Sequence, residues 1–275
     1  MKRILFIMFL LGAIILASIV IMKQLSTTIS IGEYEAKTHI DVTLDSLKIS
    51  IASSPDDQIH VQMYGYKLNK DSVTITEETN KFSITQKESK RKWYENFRLR
   101  LTPTIILQLP DAQIKTLSLH TVDGESTIQD LTLDSVEVKT MAGFLKLTNL
   151  LSSHANLLTQ DGTIEVNKSI LNHLSLTTSA GDVTLRESTG SVSSIQTTDG
   201  RIKLIDVVEQ PNLHVKSESG DISIQYMKAP SSLELTTDGV EIEIALPKYD
   251  KKTATVGSGT NSLFAETKYG TVVIK

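Results

Sequence analysis

The sequence predicts an all-β protein. A single N-terminal transmembrane helix is followed by a β-helix-like solenoid of ~19-residue coils with an antiparallel β cap. Three observations predict this. Glycine recurs at a near-fixed spacing through the second half of the chain. Apolar and polar residues alternate on both sides of each glycine. Residues 4–22 carry no charge at all, whereas the rest of the chain is strongly polar.

The apolar segment reads ILFIMFLLGAIILASIVIM, with only Gly12 and Ser18 departing from apolar character. Nineteen residues at helical rise span about 28 Å, close to the thickness of a bilayer's hydrocarbon core. Lys2 and Arg3 precede it and Lys23 follows, so the more positive N-terminal flank is expected on the cytoplasmic side. A cleavable signal peptide would be shorter and would end in small residues. Ile19, Val20, Ile21 and Met22 are bulky, which favours an uncleaved anchor at residues 1–23. The remainder is then expected outside the cytoplasm, on the cell membrane, as a single-pass protein.

Glycines 124, 143, 162, 181, 200, 220 and 239 are separated by 19, 19, 19, 19, 20 and 19 residues. The clearest copies are LSLTTSAGDVTL, IQTTDGRIKL, HVKSESGDISI and LELTTDGVEIEI, and Gly270 centres a late copy. Alternation at period two gives each flanking run one buried and one exposed face. Each unit therefore reads as strand, tight turn, strand, loose turn, with the turn glycine expected at positive φ. One unit cannot bury its face alone, so stacking into a solenoid over 111–275 is favoured over a row of hairpins. Asp123, Asp161, Asp199 and Asp238 precede glycine in alternate units. One carboxylate per two coils supplies too few oxygens for calcium, so relief of like-charge repulsion is the preferred reading.

Residues 24–110 show strand signals without the period, including LKISI, IHVQMYGY, KFSITQ and TIILQLP. They are expected to form a linker and an antiparallel cap, because a solenoid's terminal coils have unpaired edges. The stretch 246–275 is expected to cap the other end. Within the first cap lies a basic and aromatic segment with Lys87, Lys90, Arg91, Lys92, Trp93, Tyr94, Phe97 and Arg98. Such interleaving suits anionic lipid headgroups or wall polymers. A solvated hairpin whose aromatics pack on the cap is the ordinary alternative.

Composition limits the chemistry. The 275 residues include no cysteine, which excludes disulfides, thiolate metal sites and an acylated cysteine. With 28 basic and 32 acidic residues the net charge is −4, too acidic for a nucleic-acid-binding chain. Without Lys2, Arg3 and Lys23 the exported part keeps 25 basic and 32 acidic residues, net −7. The histidines at 39, 60, 120, 154, 173 and 214 are scattered with no metal spacing, and no phosphate-binding, dinucleotide or nucleophile-elbow motif is present. No catalytic, cofactor or metal residue is expected, and the chain is read as a non-enzyme. A β-helical glycan-processing enzyme would need a cleft built from inserted loops, which the constant period leaves little room for.

The units around Gly162, Gly181, Gly200, Gly220 and Gly239, with the approach TIILQLPDAQIKTLSLHTVDGES, resemble the DUF4097 family of adhesin-like proteins. The layout of anchor and repeat is similar to the LiaG-type membrane proteins of Gram-positive bacteria, encoded beside envelope-stress regulators. The unit at Gly124 departs, with Glu125-Ser126-Thr127-Ile128 after the turn. The resemblance implies a cell-surface β-solenoid and carries over no catalytic residue. The function expected is an extracytoplasmic interaction module with a membrane or cell-wall partner, linked to envelope stress. An adhesin or binder of anionic wall polymers is the alternative.

Overall fold

The computed structural model describes residues 24–87 and 102–275. The anchor expected at 4–22 lies outside them, as does the basic and aromatic segment from 88 onward. Among the described residues, no helix is long and apolar enough to cross a membrane. Those residues are almost entirely β.

The architecture is two facing parallel sheets made by coiling one chain. Each coil contributes a front strand, a turn and a back strand. The sequence from Thr116 onward shows the logic. Thr116–Thr121 leads through Gly124 into Glu125–Thr140, which bends at Asp130 from the back sheet to the front. Phe144–Thr159 repeats the path, bending at Asn149. Thr163–Asn167, Ile170–Thr178, Val183–Arg186, Val192–Thr197 and Ile202–Val207 continue it. All neighbouring strands in this stretch pair in parallel and in register, one coil above the next.

Alternation becomes burial by simple stacking. On the back sheet Leu145, Ile164, Val183, Ile202, Ile222 and Val272 lie in one column, each in register with the next. On the front sheet Val138, Leu157, Leu176, Ile195, Val215 and Ala265 form another. All are fully buried. Burying an aliphatic side chain of this size contributes about 1.5–3 kcal/mol, and the columns repeat that gain at every coil. Gly124's irregular unit joins the same sheet. Its Ser126 fills the column position held by Leu145 in the next coil, and it is buried.

The turn glycines are required for a reason other than the one expected. Only Gly124 and Gly143 have positive φ, at 117° and 109°. At Gly162, Gly181, Gly200, Gly220 and Gly270, close approach decides. A Cβ on Gly181 would lie 1.8 Å from the carbonyl oxygen of Gly162, one on Gly200 2.0 Å from that of Gly181, and one on Gly220 1.9 Å from that of Gly200. Successive turns rest backbone on backbone. A threonine or serine three residues earlier completes each turn: the hydroxyls of Thr159, Thr178, Thr197, Ser217 and Thr267 accept from the amides of Gly162, Gly181, Gly200, Gly220 and Gly270. At the first turn of the series Asp123 accepts from Gly124 instead, and the buried Thr121 hydroxyl has no partner.

The opposite corner is turned by single residues in the left-handed region. Asp130, Asn149, Lys168, Glu187 and Asp206 have φ between 49° and 56° and recur every 19 residues. Inside this corner Ser169 donates to Asn167 and accepts from the Leu150 amide, while Ser188 accepts from the Ser169 amide.

Both ends differ from the expected caps. At the N-terminal end the pairing is mixed rather than antiparallel. His39–Leu44 and Lys48–Ser53 form a full coil, parallel to Lys81–Gln86 and Thr104–Leu109 on one side and to Thr116–Thr121 and Glu125–Thr140 on the other. A later segment has closed over an earlier one. Only Thr27–Glu35, Gln58–Gly65 and Val73–Glu77 add antiparallel strands outside that stack. Gln86 secures the junction, its side-chain oxygen accepting from the amides of Asp45, Ser46 and Leu47.

At the other end, Asn261–Thr267 and Thr271–Ile274 do not cap. They slot between Asn212–Ser217 with Ile222–Tyr226 on one side and Leu233–Asp238 with Glu241–Ile244 on the other. The late copy at Gly270 is thus an interior coil, and a Cβ there would lie 2.4 Å from the Gly220 oxygen. The outermost coil is the one at Gly239. A small hairpin, Tyr249–Asp250 with Thr255–Val256, covers the start of its front strand. Glu209 fastens this return, accepting from the amides of Ser231 and Ser232, the Ser231 hydroxyl and the Asn261 side chain. Burial alone would raise its pKa, but these bonds outweigh it and hold the carboxyl below the ordinary glutamate range.

Two contrasts test this stacking. Gly181→Ala should destabilise by about 1–3 kcal/mol or more, because the methyl meets backbone. Gly239→Ala should cost little, since its nearest contact is a methyl group of Val272 at 3.2 Å. Thr178→Val should cost about 1 kcal/mol by leaving the Gly181 amide unpaired, and Thr121→Val should cost nothing. Urea denaturation of the four variants measures each value.

Candidate functional site

The two sheets present different chemistry to solvent. Outward side chains of the back sheet form a ladder of ion pairs between coils. Lys48 meets Glu125 at 2.9 Å, Lys146 meets Glu165 at 3.3 Å, Arg201 meets Asp182 at 2.7 Å and Arg186 meets Asp206 at 3.8 Å. The Arg201 guanidinium holds the Asp182 carboxyl below its usual range against partial burial, and the bond from Asn167 does the same for Glu165. Much of the charge on this face is paired within the face.

The front sheet is different in its centre. In three consecutive coils the outward residues are His154, Asn156 and Leu158, then His173, Ser175 and Thr177, then Val192, Ser194 and Gln196. None is a carboxylate, lysine or arginine. Charged residues bound this window on both sides, with Glu137 paired to Lys139 on one and Lys216 paired to Glu266 on the other.

Histidines concentrate on the same face. His39, His120, His154, His173 and His214 all point outward from front strands. His60, the exception, belongs to an antiparallel strand and bonds Asp56 at 2.8 Å. Register brings His154 directly over His173. Their rings stack with centroids 5.0 Å apart and planes 13° from parallel. His173 Nδ1 lies 3.2 Å from the Ser153 carbonyl oxygen. A carbonyl only accepts, so Nδ1 carries the proton and Nε2 remains for a ligand. His214 stacks on Phe264 at 4.4 Å further along the face.

A shallow groove of about 370 Å³ runs past the stacked pair, lined by Ser135, Asn156, Ser175, Val192 and Ser194 as well. A second, of about 580 Å³, follows the turn edge beside His120, Lys139, Met141 and Leu158. Exposed Val122 and Met141 give that edge an apolar rim. A third lies among Lys216, Asp238, Val240 and Glu266 at the last coils.

Of the residues singled out in the sequence, Gly124, Gly143, Gly162, Gly181, Gly200, Gly220, Gly239 and Gly270 all occupy the turn edge. Lys87 sits just after a front strand, its amide bonded to the Ser72 carbonyl. Lys90, Arg91, Lys92, Trp93, Tyr94, Phe97 and Arg98 lie outside the described residues. The four turn aspartates are exposed along the same edge. Among the described residues, no three His, Cys, Asp or Glu side chains are grouped to hold a metal. The central window had no sequence motif, since its members are separated by whole coils and only the register assembles them.

The sequence profile of the Toastrack DUF4097 family matches residues 37–275. Solved structures agree on the fold. A crystal structure named “putative adhesin” from Parabacteroides merdae is 12% identical, covers 91% of this chain and 95% of its own, and superposes with a TM-score of 0.54. One named “putative lipid binding protein” from Parabacteroides distasonis is 14% identical, with 91% and 97% covered and a TM-score of 0.53. A second adhesin-named structure from P. distasonis is 12% identical, with 90% and 96% covered and a TM-score of 0.53. No curated protein sequence matches the chain.

Proposed function

The chain belongs to the Toastrack DUF4097 family, and from that premise we propose that it is a non-catalytic binding module of a bacterial cell surface. Residues 4–22 anchor it in the membrane with the solenoid outside the cytoplasm. The uncharged front window carries this reading. A long polymer lying along the solenoid axis meets the same kind of outward side chain at each coil, at strand spacing of ~4.8 Å. The amides, hydroxyls and rings of the window can contact it without breaking ion pairs, as the back sheet would require. The adhesin-type names of the structural neighbours are consistent with surface binding. The layout of anchor and repeat supports the narrower assignment, a LiaG-type protein of Gram-positive bacteria acting beside envelope-stress regulators through a membrane or wall partner.

Full-length protein in nanodiscs should co-sediment with isolated cell envelopes. Ser175→Glu, an exposed change that leaves the core untouched, should reduce the bound fraction at least tenfold. Binding that survives Ser175→Glu with circular dichroism unchanged would move the site elsewhere, with the 87–98 segment next in line.

A further inference from the structure

We propose that His154 and His173 make the central window a binding site for a phosphate-bearing polymer, engaged when the two imidazoles are protonated. The inference rests on the surface-binding reading above and names its ligand and its control.

With both rings neutral the window carries no formal charge, so it offers hydrogen bonds and shape but little attraction for an anion. Histidine is the side chain whose charge changes in mild acid. Protonation adds a second N–H to each ring. In His173 the Nδ1–H is already committed to the Ser153 carbonyl oxygen. The new N–H is therefore at Nε2, available to a ligand. With centroids 5.0 Å apart, two imidazolium rings repel each other. An oxyanion set against both edges relieves that repulsion and accepts a charge-assisted hydrogen bond from each. Asn156, Ser175 and Ser194 in the same groove supply further donors, which suits a tetrahedral phosphate with several oxygens to satisfy.

The surroundings favour this over simple loss of structure on protonation. The groups facing the pair from neighbouring coils are Ser135, Asn156, Ser175, Val192 and Ser194. The carboxylates on the adjoining strand are Asp134, exposed beside Ser135, and Glu137, which lies opposite Asn156 and is already paired with Lys139. No carboxylate lines the groove itself, so the place beside the imidazolium pair is left to a ligand. The rest of the exported chain is acidic, so mild acid turns this window into a local positive site on a negative molecule. The sign follows from linkage. A ligand that prefers the protonated pair binds more tightly as pH falls, and its binding promotes proton uptake.

The test is fluorescence anisotropy of labelled long-chain inorganic polyphosphate with full-length protein in nanodiscs of uncharged lipid, at pH 5.5 and 7.5 and constant salt. Binding should be at least tenfold tighter at pH 5.5. The His154→Gln/His173→Gln variant should lose that pH dependence, and His214→Gln should keep it. NMR titration should show both ring signals shifting to higher midpoints when polyphosphate is present. Equal affinity at the two pH values, or pH dependence surviving in the double variant, overturns the proposal. Equal binding of poly-glutamate or of neutral dextran also overturns it. Envelope binding that is lost in Ser175→Glu but indifferent to pH would refute this inference alone. Envelope binding unaffected by Ser175→Glu would refute the surface reading beneath it.

Discussion

The structure depends on one close approach: from Gly143 through Gly220 to Gly270, the backbone of each turn glycine rests on the carbonyl of the turn beneath it. A side chain at that edge would collide with main chain rather than with another side chain, which could move. The constraint sets the register of everything else. Once Gly181 sits on Gly162, Thr178 must sit over Thr159, Leu176 over Leu157 and His173 over His154. Burial columns, hydroxyl caps and surface chemistry are all consequences of that alignment. The outer faces become columns of side chains, and a surface property is spread along the axis rather than gathered in a cleft.

Much of this was legible in the residues, and the limits have physical causes. The period of 19–20 residues gave the coils because those from Thr116 to Asp206 keep the same turn and corner lengths and the next corner adds a single residue. Most of the turn glycines are indeed needed, Gly239 being the exception, but for those from Gly162 to Gly220 the reason lies in a neighbouring coil that a local reading does not include. The left-handed corners were not legible. Asp130, Asn149 and Asp206 tolerate that conformation, but Lys168 and Glu187 do not announce it. The coil at 39–53 escaped notice because Leu47 stands at its turn edge and because antiparallel strands separate it in sequence from its spatial neighbours.

Spatial order was the deepest omission. Period reveals that a coil exists and not where it stacks. The copy at Gly270 has the offsets of any other, yet it is inserted one place inside the end. The same device operates at the N-terminal end, where Lys81–Gln86 and Thr104–Leu109 close over the 39–53 coil. Both termini of the solenoid are therefore interlocked rather than merely covered, so neither end unwinds by peeling from a chain terminus. The acidic residues Glu234, Asp238, Glu241 and Glu243 on the outermost coil discourage another chain from adding to its open edge. The candidate site was equally hidden, because His154 and His173 are ordinary exposed histidines in sequence and become a pair only through register.

The central claim is that coils stack in spatial rather than sequential order, locked at the turn edge. Native-state hydrogen exchange over the whole chain tests it most directly. The account predicts that amides of 261–274, hydrogen-bonded on both sides, exchange as slowly as those of 192–207 despite lying at the C-terminus, and that 241–244 exchange faster. Rapid, independent exchange of 261–274, with protection in 241–244, would contradict it.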